Sequence, residues 1–230
     1  MQVSKNTGNV WAGIRAVILD MDGLLVDSEP IHWLTLNRVL AEYGHHVDEE
    51  ENAAYVGQPE VETWRMVMAK RGIPADLNEL SRERARVFSE ILRTEGIPLM
   101  PGAMELVKAC KEKGYPLAIA TSTPPGTVRE VLAASGFDRE VEIVVSAYDP
   151  EVKQGKPAPD VFLRAASLLG VEPARCLVFE DSGLGIQAAK AAGMRCVAVP
   201  GRHVRQTDKD AADLVLKSLV DMVRPSELDP

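Results

Sequence analysis

The chain is short of cysteine, of basic charge and of long apolar runs, and each shortage closes off a class of protein. Cys110, Cys176 and Cys196 are its three cysteines, an odd number without a C-x-x-C pair. That spacing argues against a disulfide scaffold and a zinc ribbon, and for a reducing compartment. Lys and Arg number 26 against 34 Asp and Glu, a formal net charge of −8. A general nucleic-acid binder needs the opposite balance, to displace phosphate counterions. A small anionic substrate stays open, because the charge of a site can oppose that of the whole. The first apolar run, Ala16-Val17-Ile18-Leu19, is stopped by Asp20 and Asp22. It is far shorter than the roughly 20 residues of a membrane span, and no secretory pattern precedes it. The expectation is a cytoplasmic protein with neither nucleic acid nor membrane as partner. Its polar first dozen residues are expected to fray.

What is present is an ordinary globular composition, 46% hydrophobic and 26% charged over 230 residues. That length suits a main domain with a smaller one inserted. Continuous apolar runs at Ile14 to Leu19, Leu117 to Ala120, Ile143 to Val145, Cys176 to Phe179 and Cys196 to Val199 read as strands buried on both faces of a parallel sheet. Helix-period stripes lie between them, such as Met104, Val107 and Cys110, or Val161, Phe162, Ala165, Leu168 and Leu169. Alternating strands and helices predict an α/β doubly wound fold. From Ser28 to Leu99 the rhythm breaks into helical patterns alone. Trp33, Leu36 and Leu40 form one stripe, Ala85, Phe88 and Leu92 another, with Trp64 and Met66 as further core candidates. This stretch is too long for one crossover. It predicts an all-helical domain over 28–99, inserted after the first strand of a core made from 1–27 and 100–230.

Four segments at strand ends carry chemistry. Asp20-Met21-Asp22-Gly23 ends the first strand, where open α/β sheets bind ligands. Residues i and i+2 of extended chain point the same way, so both carboxylates aim at one spot. Crowded like charges separate the two pKa values, which suits a nucleophile beside a general acid/base. Thr121-Ser122-Thr123 offers hydroxyls and N–H groups to phosphate oxygens, or else a helix cap. Lys156, within Gly155-Lys156-Pro157, is a charge for the site or a solvated surface lysine. Glu180-Asp181 offers oxygen ligands to a hard cation, unless Asp181 merely caps the next helix.

Taken together, their order and placement resemble the haloacid dehalogenase superfamily of aspartate-nucleophile phosphotransferases, over essentially the whole chain. The helical insert resembles the cap of the subgroup that includes β-phosphoglucomutase and phosphoglycolate phosphatase. The run Asp149 to Lys156 is similar to glycerol-3-phosphate and pseudouridine-5′-phosphate phosphatases.

The resemblance implies Asp20 as nucleophile, Asp22 as general acid and base, and Lys156 and Thr121 as phosphate-binding catalytic residues. It implies magnesium held by Asp20, the Asp22 carbonyl, Asp181 and Glu180. Ser122 joins the phosphate contacts, while His32, Gly57, Gln58, Glu60 and Trp64 are candidate cap contacts. Hinges fall near Leu24 to Asp27 and Gly96 to Pro101. The expected substrate is a small phosphorylated metabolite, a sugar or polyol phosphate, acted on by a monomer or weak dimer. A β-phosphoglucomutase-type isomerase is the alternative, but Val56-Gly57-Gln58-Pro59-Glu60 lacks the cations that would grip a second phosphate. Asp22 argues against dehalogenase and phosphonatase chemistry. A non-catalytic regulator phosphorylated on aspartate is the remote alternative, since receiver domains have no helical insert.

Overall fold

A segment buried on both faces has no polar side to present, and the continuous apolar runs become central strands for that reason. The computed structural model describes residues 10–55, 60–201 and 204–223. Its sheet holds β1 (Ala16–Leu19), β2 (Leu117–Thr121), β3 (Ile143–Ser146), β4 (Cys176–Glu180), β5 (Arg195–Ala198) and β6 (Leu214–Val215), all parallel, in the order β3-β2-β1-β4-β5-β6. Every residue of β1, β2 and β4 is buried. Leu19 pairs with Ile119 on one side and Phe179 on the other, so β1 stops two residues before β2 and one before β4. The strand order reverses between β1 and β4, which opens the ligand crevice of this topology at their carboxyl ends.

The chain forms two compact units, Met1–Asp27 with Pro98–Pro230, and Ser28–Ile97. The second contains α1 (Glu29–Ala41), α2 (Glu49–Asn52), α3 (Glu60–Arg71) and α4 (Leu77–Glu95). The α4 helix starts where the Asp76 carboxylate accepts from the N–H groups of Asn78 and Glu79, and stops at Gly96, whose φ is 74°. It buries Leu80, Val87, Phe88, Ile91 and Leu92, and packs on Ile31, Leu36, Val39 and Leu40 of α1. Two of the expected stripe residues differ. Ala85 is exposed, and Trp33 lies half-buried with its indole N–H donating to the Val47 carbonyl at 2.8 Å. Trp64 is buried as core, but Met66 is 43% exposed, because it falls on the solvent side of α3.

In the first unit, α5 (Ala103–Glu112), α6 (Pro125–Ser135), α7 (Asp160–Leu169), α8 (Gly183–Ala191) and α9 (Gln206–Ala211) complete the alternation. Ala16 and Ile18 of β1 share a core with Val161, Phe162 and Ala165 of α7 and with Ile186, Ala188 and Ala189 of α8. Leu168 departs from the expected stripe at 43% exposure, while Leu169 packs on the core. Residues 1–9 lie outside the described residues, but for Val10 and Trp11 the N-terminal expectation needs correction. Val10 and Trp11 are buried, and the Trp11 ring lies 5.2 Å from Tyr115 and 6.1 Å from Phe179. A large apolar ring finds core even in a polar stretch. The connections flanking the helical unit hydrogen-bond to each other, Asp27 N to Pro98 O at 2.8 Å and Met100 N to Leu25 O at 3.0 Å, around an antiparallel bridge between Val26 and Leu99.

Candidate active site

The site begins where β1 stops. Asp20 still donates its N–H to the Phe179 carbonyl at 3.0 Å, which fixes it against the end of β4. Gly23 then turns the chain at a φ of 79°, with its N–H donating to the Val26 carbonyl. A Cβ there would lie 2.2 Å from Asp181 Oδ2, so the missing side chain lets this loop close on the acid.

Lys156 is no surface lysine: its side chain is 5% exposed. Its ammonium donates to Asp20 Oδ1, to Glu180 Oε1 at 2.6 Å and to the Ala120 carbonyl at 3.1 Å, and sits 4.9 Å from the centroid of the Phe162 ring. Glu180 is fully buried, and its second oxygen accepts from the N–H and hydroxyl of Ser182 at 2.8 and 3.0 Å. The Ser182 hydroxyl in turn accepts from Gly185 N at 3.0 Å and caps α8. Asp181 is thereby free of the capping task.

Asp20, Glu180 and Asp181 each bring a carboxylate oxygen within 4.8 Å of the others. Three carboxylates against one ammonium leave the cluster short of positive charge. Burial raises Asp20 well above the usual carboxylate range, with Lys156 pulling down and Glu180 and Asp181 pushing up. Burial and then the Glu180 charge lift Asp181 to about 7. Burial works against the charged Lys156, but Asp20 and Glu180 outweigh it and hold the ammonium above its ordinary value. A hard divalent cation would supply the missing charge, and an all-oxygen donor set is the kind magnesium takes.

Asp22 faces a different partner. Its Oδ2 accepts from the Thr123 hydroxyl at 2.6 Å. Thr121 is buried, and its Oγ1 accepts from Thr123 N at 3.1 Å; Ser122 is exposed. Neither threonine caps α6, whose N-cap is Pro124 with no side-chain bond. Thr123 carries no separate role in the sequence beyond the Thr-Ser-Thr segment, and gains one only through its bond to Asp22. The signal was its i+2 spacing from Thr121, which repeats the pattern of Asp20 and Asp22.

Within the helical unit His32 stacks on Phe88 with ring centroids 5.2 Å apart. Arg84, which the sequence reading passed over, donates to His32 Nδ1 at 3.0 Å and to Glu60 Oε2 at 2.8 Å. Gly57 and Gln58 lie outside the described residues.

Residues 14–193 match the family model of the haloacid dehalogenase-like hydrolases. The chain is 37% identical to (DL)-glycerol-3-phosphatase 1, mitochondrial, of Arabidopsis thaliana, over 93% of this chain and 73% of that protein. It is 38% identical to the fructose-1-phosphate phosphatase YqaB of Escherichia coli, over 82% of this chain and 96% of that one. Among solved structures it is similar to CbbY from Rhodobacter sphaeroides in complex with phosphate, with a TM-score of 0.76 and 27% identity, covering 94% of this chain and all of the other.

Proposed function

The chain belongs to the haloacid dehalogenase-like hydrolases and is a phosphoric monoester hydrolase, and from this we propose that it is a magnesium-dependent phosphatase of sugar or polyol phosphates that works through an aspartyl phosphate. The observation that carries the reading is the strand-end cluster in which Lys156 bridges Asp20 and Glu180, with Asp181 alongside. The substrate class follows from relatives named for glycerol 3-phosphate and fructose 1-phosphate.

A carboxylate oxygen of Asp20 attacks phosphorus as the ester P–O bond breaks, and the carboxyl of Asp22 gives its proton to the departing oxygen. The alcohol leaves. Asp22, now ionised, takes a proton from the water that attacks the phosphoryl group, which releases inorganic phosphate and restores Asp20. An anion approaching a phosphate dianion meets repulsion, so the rate depends on fixed positive charge and on position. Lys156 supplies one such charge at Asp20, and the Thr121 hydroxyl, with Ser122, binds phosphoryl oxygens. Asp20, Glu180 and Asp181, with the Asp22 carbonyl, would hold the magnesium ion, which adds further positive charge against the phosphate. The helical unit, which resembles the caps of this family, would contribute substrate selection.

The test is phosphate release from a panel including glycerol 3-phosphate and fructose 1-phosphate, with magnesium and with EDTA, alongside Asp20→Asn. Turnover should need magnesium, and the variant should lose roughly 10³-fold or more. Turnover unaffected by EDTA, or an active Asp20→Asn, would overturn the mechanism. A coupled assay for conversion of β-glucose 1-phosphate to glucose 6-phosphate decides against the mutase if no product forms.

A further inference from the structure

Asp22 must present its proton along one direction in the first step and receive one along nearly the same direction in the second. A carboxylate on a turning loop does not hold one orientation by itself. The residue that contacts it, Thr123, is fixed at all three of its polar groups. Its N–H donates to Thr121 Oγ1 at 3.1 Å, its carbonyl accepts from the Ser146 hydroxyl at 2.6 Å, and its own hydroxyl donates to Asp22 Oδ2 at 2.6 Å. Ser146 is buried at the end of β3, and its oxygen also accepts from Tyr148 N at 3.1 Å. The Thr121 carbonyl accepts from Ala147 N at 2.8 Å, which ties the same turn to β3 a second time. Pro124 follows directly and restricts Thr123 to extended backbone. A hydroxyl held this rigidly restrains whatever it binds.

We propose that Thr123 is the positioning residue of Asp22: through Oδ2 it sets the carboxyl so that Oδ1 delivers and collects the proton, with Ser146 bracing Thr123 from β3. The proposal rests on the acid/base reading of Asp22. The chemistry is unchanged by it. One proton passes from Asp22 to the leaving oxygen and one returns from water, and Thr123 keeps its own throughout. An orientation error of about 1 Å at a catalytic group can cost on the order of 10²-fold, which is the scale at stake.

The experiment compares phenyl phosphate with p-nitrophenyl phosphate, two esters of similar shape whose leaving oxygens differ in their need for a proton. Thr123→Val keeps the shape and removes the hydroxyl; Thr123→Ser keeps the hydroxyl. Thr123→Val should lower kcat by about 10- to 100-fold with KM nearly unchanged, within the range general acid/base catalysis supplies. It should lower kcat/KM more for phenyl phosphate than for p-nitrophenyl phosphate, and Thr123→Ser should recover most of both. Ser146→Ala should show the same pattern at smaller size. In an Asp22→Asn background Thr123→Val should add almost nothing, because the two residues act as one unit. Losses equal for both esters, or additive with Asp22→Asn, or unrecovered by Thr123→Ser, overturn the positioning role. A silent Asp22→Asn instead overturns the acid/base reading beneath it, so the two failures are separate results.

Discussion

An alanine at position 185 puts the site's construction to a test of sign. Gly185 lies in the first turn of α8. In a helix, glycine to alanine ordinarily stabilises by about 0.5–1 kcal/mol, since it removes backbone freedom from the unfolded chain. Here the new Cβ would stand 1.7 Å from Glu180 Oε1 and 1.9 Å from its Cδ. That is about 2 Å closer than the optimum between non-bonded heavy atoms. Glu180 is fully buried, and both its oxygens are engaged, one by Lys156 and the other by Ser182. Either the carboxylate moves and abandons those bonds, or α8 moves and loses its packing on β4. Breaking one partner of a buried ion pair costs about 3–5 kcal/mol, several times the helix gain. Gly185→Ala should therefore lower the thermal midpoint by on the order of 10 °C and cut p-nitrophenyl phosphate turnover with it, because Lys156 loses an anchor. Gly126→Ala is the control: Gly126 is an exposed residue of α6 with nothing within 4 Å of its Cβ, and the variant should be neutral or stabilising. Thermal melts and turnover of the two variants decide the matter. A Gly185→Ala protein as stable and active as its parent would refute the account of Glu180 as a locked carboxylate.

Two further expectations follow from burial and charge. Burial and the neighbouring Glu180 charge raise Asp181 to about 7 in the fold, well above an ordinary aspartate. Its folded state therefore prefers the proton, so the stability it contributes is complete below about pH 4 and is lost as pH rises towards 7. In EDTA, Asp181→Asn should gain a few kcal/mol at pH 8 and nothing at pH 4, and with magnesium it should lose the ligand-linked gain in stability, which in the parent reaches about 2.7 kcal/mol at a hundred times Kd. Urea titrations at the two pH values measure it, and equal stability of variant and parent at pH 8 contradicts the crowding described. Trp11→Ala should cost about 3–5 kcal/mol by the cavity it leaves beside Tyr115 and Phe179, and an unchanged urea midpoint would show that the N-terminal segment does not belong to the core.

The sheet was legible in the sequence because parallel strands are apolar on both faces and acids end them abruptly: Leu19 to Asp20 and Phe179 to Glu180 mark both the edge of the core and the edge of the site. β6 went unread since two residues, Leu214 and Val215, carry no pattern. Met66 and Leu168 were misjudged because an apolar side chain on a helix does not say which side its helix turns to solvent. Trp11 was misjudged because a single ring among polar neighbours has no period. The link from Thr123 to Asp22 spans 101 residues and exists only once β2 lies beside β1. No local pattern encodes it. Arg84 likewise gains its meaning from meeting His32 of α1 and Glu60 of α3, each on a different helix.

The paired connections Leu25–Asp27 and Pro98–Met100 have a consequence for how such a protein changes over time. Because the two strands of this ribbon bond to each other, the chain leaves the sheet and comes back through a single doorway. Seventy residues, Ser28 to Ile97, hang from that doorway. The helices beyond it can therefore be lengthened, exchanged or reshaped without shifting the register of β1, on which Asp20 and Asp22 are mounted. The helical unit and the strand-end carboxylates are thus held on separate hooks, and drift in one need not disturb the other.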